Sequence, residues 1–346
     1  MGSFRSIVAA LLLATLSGCS PYGFSKQVSD INGSVQALND SVTSGHKALV
    51  DDQTAHYRRA LIANRSNVVM AHCEAVLRVA RHVPTDADLA KKDDDPVAKP
   101  PPRQPCDVYL LADMNKSWLG PPPLPDKLTL SMKALTDYMG ALAAVTNATD
   151  RDNYNAAVTK LGTAVSGIMT AAGGPAGAAV GAGINLFGWL LGNALDIQRF
   201  ESLKAAVNKV GTPPKPGDGR PFDDVVQAIA SSILALAEDR RSALTDDIGS
   251  LKLTLGHGVS EEVYRARLAD IQSMAAVVES LNTADPQSAA NALMLAHAKL
   301  VKAVNEYQPD LASLITTIGT LKDQVSALQT ALAAASAPAS SSKKGS

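Results

Sequence analysis

Residues 24–49 read "FSKQVSDINGSVQALNDSVTSGHKAL", and their apolar side chains recur at alternating steps of four and three residues. The repeating positions are Phe24, Val28, Ile31, Val35, Leu38, Val42 and, one heptad further on, Leu49. This heptad spacing puts all of them on one face of a helix, which is typical of helices that pack along a coiled-coil-like seam. The stretch therefore predicts a long helix with one buried face.

A second seam of the same kind lies at the other end of the chain. Its members are Leu311, Leu314, Ile318, Leu321, Val325, Leu328 and Leu332. The two seams would bury each other if the chain returned on itself, but they are equally satisfied between several chains, and the sequence leaves this open. Further apolar repeats lie between residues 222 and 304, and aromatic residues make up only 4% of the chain. We therefore predict an all-α fold, an elongated antiparallel helical bundle with coiled-coil-like heptad seams and one hydrophobic Gly-rich helical hairpin.

The predicted hairpin is residues 161–195, a run without a charged side chain. Pro175 follows two glycines and divides the run into two arms. Small and bulky residues of the run are expected to form a helix-packing or membrane segment: Gly173, Gly177, Gly181, Phe187, Gly188, Trp189 and Gly192. Glycines four residues apart let another helix approach closely. Asn185 and Asn193 and the many glycines make the run a marginal membrane span, so the sequence leaves open whether it is buried in the bundle or inserts in a membrane.

The N-terminus has the features of an export signal. Arg5 precedes the apolar stretch Ile7 to Leu16, which is too short to span a bilayer comfortably. The stretch closes with Leu16-Ser17-Gly18-Cys19, which resembles the lipobox of bacterial lipoproteins. That resemblance implies cleavage before Cys19, acyl chains such as palmitate on Cys19 and, because Ser20 follows, an outer-membrane location on the periplasmic side. Several acyl chains on one residue give stable anchoring.

The other two cysteines form an even pair in an oxidising compartment. Cys73 and Cys106 lack the spacing that redox motifs use, so we predict a structural disulfide between them. Closing a loop of this length stabilises a fold by about 4 kcal/mol on the chain-entropy model.

Composition shifts divide the chain into predicted segments. These are a signal peptide (1–18), the lipid anchor with a long N-terminal helix (19–83), a Pro-rich loop (84–125) in which "CDVYLL" forms a short strand or turn, a helical region with the uncharged hairpin (126–210), a linker (211–221), C-terminal helices (222–335) and a disordered tail (336–346). The breaker "GTPPKPGDGRP" at 211–221 is the strongest linker candidate.

Residues that would carry catalysis are not grouped in the sequence. The six histidines are dispersed, and we expect His297, on an apolar helix face, to be a buried and hydrogen-bonded core residue. The formal net charge of −1 gives no reason to expect nucleic acid. We predict no catalytic residues, metal, cofactor or small-molecule substrate, and a non-enzymatic structural or protein-interaction role for a lipid-anchored envelope protein. Its partners would be the membrane, through Cys19, and a protein or a second copy, through the heptad helices. The alternative is an α-helical membrane-inserting, pore-forming or remodelling protein that uses residues 161–195.

Overall fold

The computed structural model describes residues 22–63, 68–71, 107–110, 123–173, 195–255, 258–306 and 309–334. Within these ranges the chain forms eight helices and one two-stranded sheet. The elements are α1 (Tyr22–Ala63), β1 (Val68–Ala71), β2 (Asp107–Leu110), α2 (Asp126–Asn147), α3 (Arg151–Ala171), α4 (Leu195–Gly211), α5 (Pro221–Leu253), α6 (Glu261–Thr283), α7 (Pro286–Asn305) and α8 (Leu311–Ala333). They belong to two compact units, the helical unit (Met1–Leu49 with Pro123–Ser346) and the inserted unit (Val50–Pro122).

Packed helices form the core of the helical unit, which confirms the all-α prediction at this level. Every member of the first seam is buried, from Phe24 to Leu49, and so is the second seam from Leu314 to Leu332. Most of these side chains join the buried faces of α2, α3, α4, α5 and α7 in one hydrophobic cluster. Both heptad seams are therefore satisfied within a single chain, which answers the question that the sequence left open.

Both α6 and α7 pack antiparallel to α5. The carboxamide of Gln287 at the start of α7 lies 3.1 Å from that of Gln227 on α5, whereas His297, further along α7, stacks on Phe222 at the start of α5. Arg241 on α5 donates to the side chain of Asn282 near the end of α6. The helices α6 and α7 therefore run in the same direction along α5, with α7 beside its N-terminal part and α6 beside its C-terminal part.

The first and last helices pack in parallel, contrary to the predicted antiparallel bundle. Asp30 of α1 pairs with Lys322 of α8 at 2.8 Å, and fifteen residues later Gly45 lies against Leu332. Residue numbers thus rise in the same direction along both helices. Heptad spacing specifies which face of a helix is buried but not the direction of its neighbour, so the sequence pattern could not show this.

The middle of α5 contains a buried arginine. Arg240 lies between the apolar positions Leu236 and Leu244 and is 1% exposed. Its guanidinium donates to the carbonyl of Leu332 at 2.8 Å and to the carbonyl of Ala334. These carbonyls at the end of α8 have no partner inside their own helix, so Arg240 holds that end against α5.

Side-chain caps mark where several helices begin. Asp150, Ser260, Asp285 and Asp310 each accept a hydrogen bond from the backbone N–H three residues later. Such caps satisfy donors that the first turn of a helix leaves without a partner.

The N-terminal helix is shorter than the sequence predicted. It ends at Ala63 rather than near residue 83, and Val68–Ala71 form β1 instead. Asn64, Ser66 and Asn67 are weak helix formers, and β-branched Val68 and Val69 favour a strand once a partner is present. The partner is β2, inside the predicted "CDVYLL" strand, with Val68 opposite Leu110 and Ala71 opposite Asp107.

The predicted linker at 211–221 connects α4 to α5. Helices on both sides of it belong to the helical unit, so it does not separate two compact units. Gly217 has a positive φ of 94°, which glycine adopts without strain. Most of the Pro-rich loop (84–125) and the tail (336–346) lie outside the described residues.

Candidate functional site

Most residues singled out from the sequence lie outside the described part of the chain. These are Cys19, Cys73, Cys106, Gly177, Gly181, Phe187, Gly188, Trp189 and Gly192. Gly173 is described, with a positive φ of 80° just after α3. A left-handed residue after the last turn is a common way to end a helix, so Gly173 stops α3 before Pro175.

The first arm of the uncharged run is part of the bundle core. Residues 161–171 are the second half of α3, and Leu161, Val165 and Ile168 are at most 5% exposed. Gly167 in the same stretch faces Ala134 of α2. The small side chains of this arm therefore allow α2 and α3 to pack closely.

The two ends of the remaining uncharged segment, residues 174–194, lie far apart. Tyr154 in the first turn of α3 has its hydroxyl 2.6 Å from the hydroxyl of Ser202 in α4, so the N-terminal ends of these two helices meet. The seventeen residues from Tyr154 to Ala171 rise about 25 Å at 1.5 Å per residue. The end of α3 and Leu195 at the start of α4 are therefore about 25 Å apart.

The two strands lie close in sequence to the two cysteines of the predicted disulfide. Ala71 is paired with Asp107 at one end of the β1–β2 ladder. Cys73 follows Ala71 by two residues and Cys106 immediately precedes Asp107. Both cysteines themselves lie outside the described residues, so the disulfide stays a prediction.

We expect Cys73 and Cys106 to be linked in protein exported to an oxidising compartment. Digestion without reductant, followed by mass spectrometry, should recover one peptide pair that contains both residues. Recovery of Cys73 and Cys106 in separate, alkylated peptides without reductant would contradict the disulfide.

A buried polar cluster occupies the centre of the helical unit. Tyr138 Oη of α2 lies 3.0 Å from His297 Nε2 of α7, and the imidazole stacks on the ring of Phe222 with centroids 3.8 Å apart. Burial lowers the pKa of His297 to about 3, and the positive charge of Arg220 acts in the same direction. Burial also raises the pKa of Tyr138. Both groups are thus neutral at pH 7 and are enclosed by packed side chains, as the sequence predicted for His297.

Close approach of α4 to this cluster depends on a glycine. A Cβ on Gly211 would lie 2.6 Å from Val301 Cγ2 and 3.0 Å from His297 Cε1. Gly211→Ala is therefore expected to destabilise the protein by about 1–3 kcal/mol in urea denaturation, because neighbouring side chains must move. Gly249→Ala on α5 is the matched control: a Cβ there meets nothing within 4 Å. That substitution should stabilise by about 0.5–1 kcal/mol through helix propensity, and equal effects at both sites would contradict the packing at Gly211.

A groove runs between α1 and α8 on the outside of the helical unit. It consists of two adjoining cavities of about 310 and 210 Å³ that share Asp30 and Lys322. Side chains along it are small or short: Ser29, Gly33, Ser34, Ala37, Gly319 and Ser326. Gly33 and Gly319 both face open space. Heptad spacing did not indicate this surface, because it lies beside the seams rather than on them.

Charge in the groove is concentrated at one ion-paired position. Asp30 accepts from Lys26 at 2.7 Å and from Lys322 at 2.8 Å, and these bonds lower the pKa of Asp30. Nearby, Gln27 Oε1 is buried and has no hydrogen-bond partner among the described residues. On the α8 side, Ile315 is 55% exposed, and Lys322 and Asp323 are the two charged residues of that helix. The groove is thus the candidate interaction surface of the helical unit.

Comparisons with known proteins add no relative. The chain matches no protein-family model, no curated protein and no solved structure. Within the described ranges, no group of His, Cys, Asp or Glu side chains is arranged to hold a metal ion, and none of the helices is both long and apolar enough to cross a bilayer. Function is therefore argued from the chain's own residues.

Proposed function

We propose that this chain is a lipid-anchored bacterial envelope protein with a non-enzymatic structural or protein-interaction role at the periplasmic face of the outer membrane. The observation that carries the proposal is Leu16-Ser17-Gly18-Cys19 at the close of the export signal, three residues before α1 begins at Tyr22. An acyl anchor on Cys19 would thus be joined almost directly to a packed helical unit. Acylation supplies membrane binding without a spanning helix.

The interaction role is supported by how the helical unit uses its residues. His297 and Tyr138 contact each other in the core, and Phe222 stacks on the imidazole, so this pair serves packing. The heptad seams are buried within the chain, so a partner has to use another surface. The groove between α1 and α8 offers small side chains and an exposed Ile315 for such a contact.

The membrane-inserting alternative has less support. It needs residues 161–195 to leave the bundle as a two-armed hairpin, but residues 161–171 contribute Leu161, Val165 and Ile168 to the core. Releasing three such side chains to solvent costs about 1.5–3 kcal/mol each. The alternative therefore requires the loss of the core packing that residues 161–171 provide.

Cell fractionation tests the anchor. In a Gram-negative host the wild-type chain is expected in the outer-membrane fraction, and Cys19→Ser is expected to be lost from that fraction because no acyl chain can be attached. Thr320→Ser, at an exposed position of α8, is the control, since it leaves all three cysteines in place and should leave the protein at the outer membrane. Equal outer-membrane recovery of Cys19→Ser and wild type would contradict the proposal.

A leakage assay separates the proposal from the alternative. Protein lacking residues 1–18 and carrying Cys19→Ser is added to dye-loaded vesicles of phosphatidylethanolamine and phosphatidylglycerol. We expect no dye release, because Leu161, Val165 and Ile168 of the uncharged run are buried in the core. Release that rises with protein concentration would favour the pore-forming alternative.

A further inference from the structure

One end of the helical unit gathers the start of α1 with parts of four other helices. Asn147 at the end of α2 donates to Ser29 at 3.1 Å and accepts from Ser25, so the turn between α2 and α3 lies there. Phe24 packs on Phe200 near the start of α4, with ring centroids 6.2 Å apart. Lys26 and Ile315, near the start of α8, line the same cavity. This set of residues defines the α1-start end.

The proposed anchor is tied closely to this end. Cys19 precedes Tyr22 by three residues, and three residues of fully extended chain span at most about 11 Å. No long tether separates an acyl group on Cys19 from the α1-start end. The helical unit would therefore meet the bilayer with this end, whichever path residues 20 and 21 take.

The C-terminal end of α5 lies far from the α1-start end. The helix α8 runs from Leu311 to Ala333, which is about 33 Å at 1.5 Å per residue. Arg240 of α5 contacts the carbonyl of Leu332 at the far end of α8. From Arg240, α5 continues for twelve more residues to Lys252, a further 18 Å or so. The two ends are thus about 50 Å apart along the helices.

From this geometry we infer that the α1-start end faces the bilayer and that the C-terminal end of α5 points away from it, into the periplasm. The inference rests on the proposed acylation of Cys19. Leu253, Val263 and Tyr264, which are 88%, 38% and 40% exposed, then lie at the end farthest from the lipid. Their exposed apolar surface is directed at periplasmic components and not at the membrane that holds the anchor.

The charges at the α1-start end indicate how it meets the bilayer. In the segments that form this end, residues 22–30, 147–152, 195–201 and 309–315, acidic residues outnumber basic ones: Asp30, Asp150, Asp152, Asp196, Glu201 and Asp310 against Lys26, Arg151 and Arg199. Anionic headgroups repel such a surface within a Debye length, about 8 Å at physiological salt. The acyl chains would therefore hold the protein without electrostatic help from the lipid.

Energy transfer to the lipid surface tests the orientation. Full-length acylated protein with a single added cysteine at an exposed position, Thr149→Cys, Thr320→Cys or Lys252→Cys, is labelled with a donor dye under non-reducing conditions. It is reconstituted in vesicles that carry an acceptor on phosphatidylethanolamine headgroups, and parent protein without the added cysteine measures background labelling. We expect transfer to be highest at residue 149, intermediate at residue 320 and lowest at residue 252.

The outcomes distinguish a failure of the orientation from a failure of the proposed anchoring. Equal transfer from all three positions, or the reverse order, in protein that floats with the vesicles would overturn the orientation. Acylated protein that fails to float with the vesicles would overturn the proposed anchoring instead.

Discussion

Replacing Phe222 with alanine is expected to lower the free energy of unfolding of the helical unit by about 3–5 kcal/mol, the range for losing a fully buried aromatic side chain. Phe222 is 0% exposed, stacks on His297 and meets Tyr138 edge to face with ring centroids 6.0 Å apart. Its removal leaves a cavity where α2, α5 and α7 meet. Urea denaturation followed by far-UV circular dichroism measures the change.

Two controls show that the effect belongs to this site. Phe222→Leu keeps most of the buried volume and should cost clearly less than alanine. Leu130→Ala, at a position on α2 that is 63% exposed, should change stability by about 0.5 kcal/mol or less. A loss at Phe222 no larger than the loss at Leu130 would contradict the packing described for the cluster.

Acidification from pH 7 to pH 5 is expected to destabilise the helical unit by about 2 kcal/mol through His297. The folded pKa of His297, about 3, lies below the ordinary value of 6.5 that applies in the unfolded chain. Between these values the unfolded chain binds the proton and the folded chain does not, so stability falls as pH falls through 6.5. Denaturation curves at both pH values measure the difference.

The variant His297→Gln isolates this contribution. Glutamine keeps a group that hydrogen-bonds with Tyr138 but does not titrate, so the loss between pH 7 and pH 5 should shrink by about 2 kcal/mol. The lowered pKa of Asp30 does not interfere, because its contribution is lost only as pH falls below the ordinary aspartate value of 3.8. The same pH dependence in wild type and variant would show that His297 is not the group responsible.

The buried faces of the first and last helices follow directly from spacing. Phe24 to Leu49 and Leu314 to Leu332 are apolar at heptad intervals, and burying one face of such a helix is the main way to remove that area from water. Their parallel packing does not follow from spacing, because the direction of a neighbouring helix depends on the path of the whole chain between them. The burial of Arg240 at a seam position could not be predicted from spacing either, since its partner carbonyl on Leu332 is 92 residues away.

The N-terminal part of α6 shows a different limit of what spacing can predict. Tyr264 continues the helical spacing of Leu268, Ile271 and Leu281, yet it is 40% exposed, while Met274 and Leu281 further along are buried. Periodicity identifies a face but not how far along the helix a neighbour reaches. Periodicity also did not indicate the groove beside α1, where Gly33 and Gly319 are both small.

Short strands are also difficult to predict locally. Nothing at Val68–Ala71 excludes a helix by itself, and the strand forms because Asp107–Leu110 pairs with it from 39 residues further along the chain. The sequence indicated a short strand or turn at "CDVYLL", which Pro-rich sequence flanks, but predicted that the first helix continues through Val68–Ala71. Pairing between distant segments is a tertiary effect that overrides local helix propensity.

The measurement that tests the central claim most directly is the mass of the mature N-terminal peptide from envelope protein. Trypsin should release residues 19–26, "CSPYGFSK", and tandem mass spectrometry identifies what Cys19 carries. The account predicts a peptide that begins at Cys19 and bears a diacylglyceryl group on sulfur together with an acyl chain on the amino group. A mature chain that begins elsewhere, or an unmodified Cys19, would contradict the lipid anchor and with it the orientation inferred from the structure.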